Sequence, residues 1–253
     1  MSSEKFVSGS LSRKRFQNIL DLFHASEMTL GNPRNTIKVV NFENKKLVVK
    51  SFRSPNLINK LVYRFFRPSK AQRSYENAKY LIENGIGTPA PLGYLEKMTA
   101  VEFQESYYIS DYVEHDFTYR EIINDEELTD KEKILIHFTR FIFKLHEANI
   151  YFLDNSPGNT LISKTAGSYD FYLVDLNRMK FYDIPFEDRL KNFERLSPEK
   201  WMYDIMGAEY ASLMDKDSET TIDAMWSYTQ KFQEKFHKKK RLKKKVRELM
   251  GKS

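Results

Sequence analysis

Residues 152–181 read FLDNSPGNTLISKTAGSYDFYLVDLNRMKF and carry three polar side chains at the edges of two short apolar runs. The runs NTLIS and DFYLVD are separated by KTAGSY, whose Gly167 is a turn residue, so the pattern predicts an antiparallel hairpin. With Gly167 at its centre, Asn159 lies opposite Asp175, each eight residues away. Asp154 precedes Asn159 by five residues in a Pro/Gly loop, which predicts that all three meet at one end of the hairpin.

A buried carboxylate needs a partner or a metal ion, so this grouping asks for a chemical reason. Two carboxylates and one amide oxygen at a loop-lined edge suit Mg²⁺ together with a proton acceptor. The alternatives are an Asx-turn at Asp154 before Pro157 and simple strand capping by Asn159 and Asp175.

The N-terminal part of the chain predicts strands and two helices. A first helix is expected from Ser12 to about His24, followed by a hairpin, NTIKVVNF and KKLVVKSF, around the turn Glu43-Asn44. Lys50 falls near the end of the second strand. Apolar residues then recur at helical spacing in PSKAQRSYENAKYLIENG, and Gly85 is the stop signal of that helix.

The pattern becomes mainly helical after about residue 110. The run YYISDYV, residues 107–113, predicts a strand, and LTDKEKILIHFTRFIFKLHEANI predicts a long helix with Thr129 as N-cap and Glu132 three residues later. We therefore expect an α+β chain with two lobes. The predicted bounds are 1–110 for an N-terminal lobe, 111–230 for a C-terminal lobe and 231–253 for a basic amphipathic tail.

The order of these parts is that of a protein kinase. Such enzymes place a strand Lys, a helix, a connection between lobes, a long helix, an Asp followed five residues later by Asn, and a magnesium-binding Asp after the next strand. The resemblance implies a two-lobed protein-kinase-like fold, with an antiparallel sheet and a helix in the N-lobe and a mainly helical C-lobe.

Longer runs resemble a narrower group. YRFFRPSKAQRSYENAKYLIENGIGTPAPLGYLE, KLHEANIYFLDNSPGNTLI and YLVDLNRMKF are similar to the bacterial lipopolysaccharide kinases that act on Kdo and core heptose, over roughly residues 30–200. The resemblance implies ATP as phosphate donor, Mg²⁺, and a sugar hydroxyl of the lipid-linked inner core as acceptor.

The resemblance also implies a role for each candidate residue. Asp154 accepts the proton of the sugar hydroxyl or orients that hydroxyl, and Asn159 and Asp175 hold Mg²⁺. Lys50 neutralises the α- and β-phosphates, unless it is an ordinary exposed strand lysine. Its acidic partner is expected on the helix at 69–84, with Glu76 first and Glu83 second.

Three departures from the protein-kinase pattern are visible. No G-x-G-x-x-G precedes the hairpin, so the phosphate-covering residues are expected to be Gly31, Asn32, Arg34 and Asn35, or backbone amides. Phe152 stands where protein kinases have a histidine. The D-F-G triplet reads Asp-Leu-Asn from Asp175, which keeps the metal ligand and loses the flexible glycine.

Charge is concentrated at the C-terminus. Residues 231–253 carry 11 Lys or Arg against 2 Glu, whereas the rest of the chain is close to neutral. This tail predicts a basic amphipathic helix on an anionic membrane surface or, alternatively, a solvated charge run. We do not expect nucleic acid to be a partner, because no binding module is recognisable.

Composition narrows the class of protein further. The chain has no cysteine, which excludes disulfides and thiolate chemistry. Neither a signal core nor a membrane span is recognisable, so the expected location is the cytoplasm, with peripheral attachment to the inner membrane left open.

Two further expectations concern function. His146, near the end of the long helix, is expected to be a packed structural residue. The rivals to a sugar kinase are a nucleotide-binding pseudokinase or scaffold, a kinase of proteins or other small acceptors, and a module that binds a membrane or nucleic acid through its tail.

Overall fold

The computed structural model divides the chain into two compact units. The first unit comprises Met1–Glu114 together with Tyr172–Arg178, and the second comprises His115–Phe171 together with Met179–Ser253. The structure describes residues 2–26, 35–52, 68–99 and 103–249. Gly31, Asn32 and Arg34, three of the predicted phosphate-covering residues, lie outside these ranges.

The first unit is built on a five-stranded antiparallel sheet with the strand order β1-β4-β5-β3-β2. Its strands are β1 Ser2–Ser8, β2 Asn35–Phe42, β3 Lys45–Phe52, β4 Pro91–Thr99 and β5 Phe103–Asp111. The predicted β2–β3 hairpin is confirmed. Its turn residues Glu43 and Asn44 both have positive φ, 49° and 63°, as a two-residue hairpin turn requires.

Two helices pack on this sheet. Helix α1 spans Arg13–Ala25, where Ser12 caps the N-terminus, and its buried face packs against β2, β3 and β5. Helix α2 spans Lys70–Glu83, is capped by Ser69, and ends before Gly85, whose φ is 66°. Both helices were predicted from the sequence, α2 from its periodicity. Strand β1 was not, because it forms by pairing with β4 some 90 residues away and has no clear alternation of its own.

The second unit contains short strands and five helices within its described residues. The strands are β6 Phe117–Thr118, β7 Ile150–Phe152, β8 Thr160–Thr165, β9 Ser168–Leu173 and β10 Met179–Phe181. The helices are α3 Tyr119–Asn124, α4 Lys131–Glu147, α5 Phe186–Lys191, α6 Lys200–Met214 and α7 Ser218–Leu249. Strands β6, β8 and β9 form one sheet, and β7 pairs with β10.

The predicted hairpin at 159–175 is present but shorter than expected. Strand β9 ends at Leu173, so Asp175 lies beyond it, and Asn159 ends a 3-10 turn before β8. Neither residue is therefore a strand residue. For Asp175 the reason is that the segment Tyr172–Arg178 belongs to the first unit, where the Leu173 amide donates to the Gly87 carbonyl at 2.9 Å.

The long helix α4 begins at Lys131, one residue after the start that a cap at Thr129 would give. Its N-cap is Asp130 rather than Thr129, and Asp130 makes no side-chain cap bond. The Asp130 carboxylate instead accepts a hydrogen bond from the Tyr169 hydroxyl at 2.8 Å. A tertiary contact therefore replaced the local cap that the sequence suggested.

The basic tail continues helix α7. This helix runs for 32 residues, and its first half packs on α6 at Gly207, where an added Cβ would lie 2.7 Å from Ile222 Cγ1. Beyond the packed part, Phe236, Leu242 and Val246 are large apolar side chains exposed to solvent. None of the helices in the described residues has the length and apolar character to span a membrane.

Candidate active site

Lys50 lies on an inner strand of the first unit's sheet. In β3 it stands between Ile37 of β2 and Tyr108 of β5, and only 7% of the residue is exposed. Its neighbour Val49 belongs to the core under α1, so Lys50 faces the opposite side of the sheet because side chains alternate along a strand. An ammonium group buried this far requires an acidic partner.

That partner is Asp175. The Lys50 ammonium donates to Asp175 Oδ1 across 125 residues of sequence. Asn177 Nδ2 donates to the same oxygen at 2.6 Å, and Asp175 itself has a left-handed backbone, with φ of 61°. A non-glycine residue held in this region marks a place where surrounding contacts override local preference.

Helix α2 supplies some of these contacts. Asn77, which is buried, donates from Nδ2 to the Leu176 carbonyl at 2.6 Å, and Arg73 Nη1 donates to the Asn177 carbonyl at 2.7 Å. These two bonds tie the residues that follow Asp175 to α2. Sequence reasoning missed both side chains, since their partners lie about 100 residues away and leave no local signal.

The predicted acids of α2 have other surroundings. Glu76 is exposed and accepts a hydrogen bond from Gln72 at 2.6 Å, and Glu83 is also exposed. Asn35, the remaining phosphate-loop candidate, is the first residue of β2. A contact between Lys50 and Glu76 stays a prediction, while the carboxylate that the structure brings to Lys50 is that of Asp175.

Asp154 lies in the second unit, in the loop that follows β7. Its side chain is only 15% exposed, and its Oδ1 accepts from Arg195 Nη1 at 2.9 Å. The same nitrogen donates to the Leu153 carbonyl at 3.0 Å, and the guanidinium lies 5.6 Å from the ring centroid of Phe232 in α7. Arg195 therefore fixes the carboxylate and is itself held by an aromatic face.

Asn159 closes this loop. Its Nδ2 donates to the Asp154 carbonyl at 2.9 Å and to Ser156 Oγ at 3.2 Å. The backbone amide of Asn159 also donates to the Ser156 carbonyl at 2.9 Å, which makes the 3-10 turn. Both side-chain hydrogen bonds of Asn159 use Nδ2. The side-chain oxygen Oδ1 is therefore the atom that remains to act as an acceptor or metal ligand.

A buried hydrogen-bond network holds the loop that carries Asp154. Asn192 Nδ2 donates to the Phe152 carbonyl at 2.8 Å, so its Oδ1 accepts from His146 Nε2 at 3.1 Å. His146 Nδ1 then accepts from the Tyr210 hydroxyl at 2.8 Å. His146 is fully buried, and this burial lowers its pKa to about 3, so the imidazole is neutral at physiological pH.

The expectation that His146 is structural is therefore confirmed. A second arm of the network reaches the residue after Asp154, because Asn155 Nδ2 donates to the Asn192 carbonyl at 3.0 Å. Asn192 thus holds the backbone on one side of Asp154 and a side chain on the other.

The four central candidates divide between the two units. Lys50 and Asp175 meet in the first unit, and Asp154 and Asn159 share one loop of the second. Arg195 and Asn192, which position that loop, were not predicted, since an arginine or asparagine about 40 residues downstream of its partner gives no recognisable spacing.

Comparison with known proteins addresses the family and the fold of the chain. The profile of the lipopolysaccharide kinase (Kdo/WaaP) family matches residues 31–216. No curated protein matches the chain. A solved structure described as WaaP in complex with acyl carrier protein is similar over 91% of this chain and 98% of its own, with a TM-score of 0.62 at 16% identity.

The structural likeness confirms the predicted protein-kinase-like α+β fold. The family match extends over most of the chain and includes Lys50, Asp154, Asn159 and Asp175. Members of this family are phosphotransferases, so the predicted enzyme class is confirmed as well. The chain belongs to the lipopolysaccharide kinase (Kdo/WaaP) family.

Proposed function

We propose that this kinase transfers the γ-phosphoryl group of ATP to a hydroxyl of Kdo or heptose in the inner core of lipopolysaccharide. The observation that carries the proposal is the contact between Lys50 and Asp175, since it joins a buried strand lysine to the acid expected to bind metal. The loop with Asp154 and Asn159 supplies the remaining groups of the phosphotransfer pattern.

Asp154 is the proposed proton acceptor. As the sugar oxygen forms its bond to the γ-phosphorus, the bond from that phosphorus to the bridging oxygen of ADP breaks, and the hydroxyl proton passes to the Asp154 carboxylate. General-base assistance of this kind is worth about 10²–10⁴ in rate. Arg195 holds the carboxylate in place through Oδ1 and so fixes the direction from which the hydroxyl approaches.

Lys50 and Asp175 are proposed to act on the phosphates. When bound, Mg²⁺ supplies positive charge that offsets the charge developing on the transferred phosphoryl group. Each unit offers one oxygen ligand of the kind that Mg²⁺ prefers, a carboxylate at Asp175 in the first unit and a side-chain amide oxygen at Asn159 in the second. Lys50 binds the α- and β-phosphates, and the two hydrogen bonds from α2 keep Asp175 from moving away.

The end of α7 is proposed to hold the enzyme at an anionic membrane surface. Exposed Phe236, Leu242 and Val246 lie among lysines there, and each cation near such a surface contributes about 1 kcal/mol. Sedimentation with vesicles that contain an anionic lipid, compared with neutral vesicles, tests this attachment. Binding to acyl carrier protein without binding to vesicles would point instead to a protein partner.

The first experiment is transfer of radiolabelled γ-phosphate from Mg·ATP to Kdo-containing lipid A and to core heptose acceptors. We expect label on a glycolipid with the wild type and its loss with Asp154→Asn. Asp170→Asn is the matched control, since Asp170 is an exposed carboxylate of β9 in the same region of sequence.

Other results would assign a different function. Label on protein alone would identify a protein kinase. Binding of Mg·ATP without transfer to any acceptor would identify a pseudokinase, a reading favoured by the Asp-Leu-Asn triplet. Asn177 stands where the D-F-G triplet has its glycine. In the structure its side chain donates a hydrogen bond to Asp175, so this asparagine helps to hold the Asp175 carboxylate in place.

A further inference from the structure

Arg120 stands beside the loop that carries the proposed base. It lies in the first turn of α3, whose start is fixed by a capping box: Glu121 Oε2 accepts from the Thr118 amide at 2.8 Å and from its hydroxyl at 2.7 Å. The preceding strand β6 pairs with β8, the strand that leaves the loop. The backbone at Arg120 is therefore anchored next to residues 154–159.

The guanidinium of Arg120 lies against Gly158. A Cβ added at Gly158 would be 2.8 Å from Arg120 Cζ and 3.1 Å from Nε. Gly158 does not have a positive φ, so its backbone conformation does not demand glycine. Gly158, which lies between Asp154 and Asn159 in the sequence, instead leaves space for the Arg120 guanidinium because it has no side chain.

Within the part of the chain that the structure describes, this guanidinium makes no hydrogen bond or ion pair. The neighbouring carboxylate of Glu121 accepts its hydrogen bonds from Thr118, and its interaction with Arg120 is electrostatic only. Three other arginines of the same unit are paired: Arg140 with Glu209, Arg189 with Glu147 and Arg195 with Asp154. Arg120 thus presents an exposed, planar, double-donor cation at the catalytic loop.

We propose that Arg120 binds an anionic group of the acceptor, a carboxylate or a phosphate monoester, next to the hydroxyl that Asp154 activates. This inference rests on the proposed function. Guanidinium groups bind both anions through two parallel hydrogen bonds, which fixes orientation as well as position. Arg120 is in this view a specificity residue, and Asp154 remains the group that takes the proton.

The test uses one inner-core oligosaccharide without its acyl chains as acceptor, in three forms. The first form is otherwise unmodified and is called intact, the second has its sugar carboxyl reduced to an alcohol, and the third has its phosphates removed. Each is measured with wild type, Arg120→Gln and Arg120→Lys, both for transfer and for equilibrium binding. We expect Arg120→Gln to raise KM for the intact acceptor about 10- to 100-fold with little change in kcat, the range for a lost charge-assisted bond. Arg120→Lys should recover part of that loss.

One of the two modified acceptors should be used equally well by wild type and Arg120→Gln. The anionic group missing from that acceptor is the group that Arg120 binds. Gly158→Ala is the second variant. It keeps the charge and displaces only the flexible end of Arg120, so it should raise KM in the wild type and have no further effect in Arg120→Gln. A control is Arg140→Gln, which removes an exposed arginine elsewhere in the unit.

Equal losses with all three acceptors, or a fall in kcat alone, would overturn the proposal in favour of a structural role. Unchanged KM in Arg120→Gln would also overturn it. Failure of the proposed function is a separate result: no transfer by wild type to any acceptor. In that case the equilibrium binding measurements test the role of Arg120 separately. If the wild type and Arg120→Gln bind the intact oligosaccharide equally well, the role of Arg120 is refuted too.

Discussion

Acidification should destabilise the second unit through His146. The residue is fully buried between Tyr210 and Asn192, and burial lowers its pKa from the usual 6.5 to about 3. Below pH 6.5 the unfolded chain therefore binds a proton that the folded chain does not. Stability contributed by the neutral imidazole is complete above pH 6.5 and is lost as the pH falls toward about 3.

The size of the effect follows from these two pKa values. Linkage gives about 1 kcal/mol less free energy of unfolding at pH 5.5 than at pH 7.5, and about 3 kcal/mol less at pH 4.5. This is a large part of the 5–15 kcal/mol that is typical of a domain. The Phe152 carbonyl depends on the same network, so Asp154 should lose its position before the unit unfolds completely.

The assay is urea unfolding followed by tryptophan fluorescence at pH 7.5, 6.5, 5.5 and 4.5. Both tryptophans of the chain, Trp201 and Trp226, belong to the second unit, so the signal reports that unit. Comparison with His146→Gln cancels the contribution of every other titrating group. The stability advantage of the wild type over this variant should shrink by about 1.4 kcal/mol per pH unit below pH 6.5. Parallel curves for the two proteins would refute the reasoning.

Three further predictions concern the candidate site. Arg195→Ala removes the bond that holds Asp154 and should lower kcat about 10- to 100-fold with KM for ATP unchanged; steady-state kinetics that show the opposite split would contradict the positioning role. Lys50→Met should lower kcat/KM for ATP by about 10² or more, whereas exposed Lys45→Met in the same strand should leave it within about twofold; equal losses would mean that Lys50 acts only through general charge. Asn77→Leu orphans a buried carbonyl and should cost the first unit about 1–3 kcal/mol in urea unfolding, measured by circular dichroism, and an unchanged midpoint would show that the α2 contact is dispensable.

Elements with a local signal were predicted well. The Glu43-Asn44 turn and the helix stop at Gly85 each depend on a few adjacent residues, and the spacing of Asp154 and Asn159 is equally local. These features depend on backbone propensity and periodicity, which a sequence displays directly.

The unpredicted parts depend on distant partners. Strand β1 exists because β4 pairs with it, and Arg195 is a site residue because folding brings it to Asp154. The same holds for Asn77, which contacts Leu176. Even the one incorrect cap, Thr129, failed because a tertiary bond from Tyr169 engages Asp130. Local patterns indicate the candidate residues, whereas tertiary contacts determine which side chains hold them in place.

The inclusion of Tyr172–Arg178 in the first unit affects how the protein is made. During synthesis the first 114 residues emerge early, yet the segment that brings Asp175 to Lys50 arrives about 60 residues later. At 5–20 residues per second this delay is roughly 3–12 s. The sheet can form in that interval, but the ribosome must deliver much of the second unit before Asp175 can reach Lys50. The contact between these two residues is therefore a late event in the life of the nascent chain, and the first unit is not one continuous stretch of the gene.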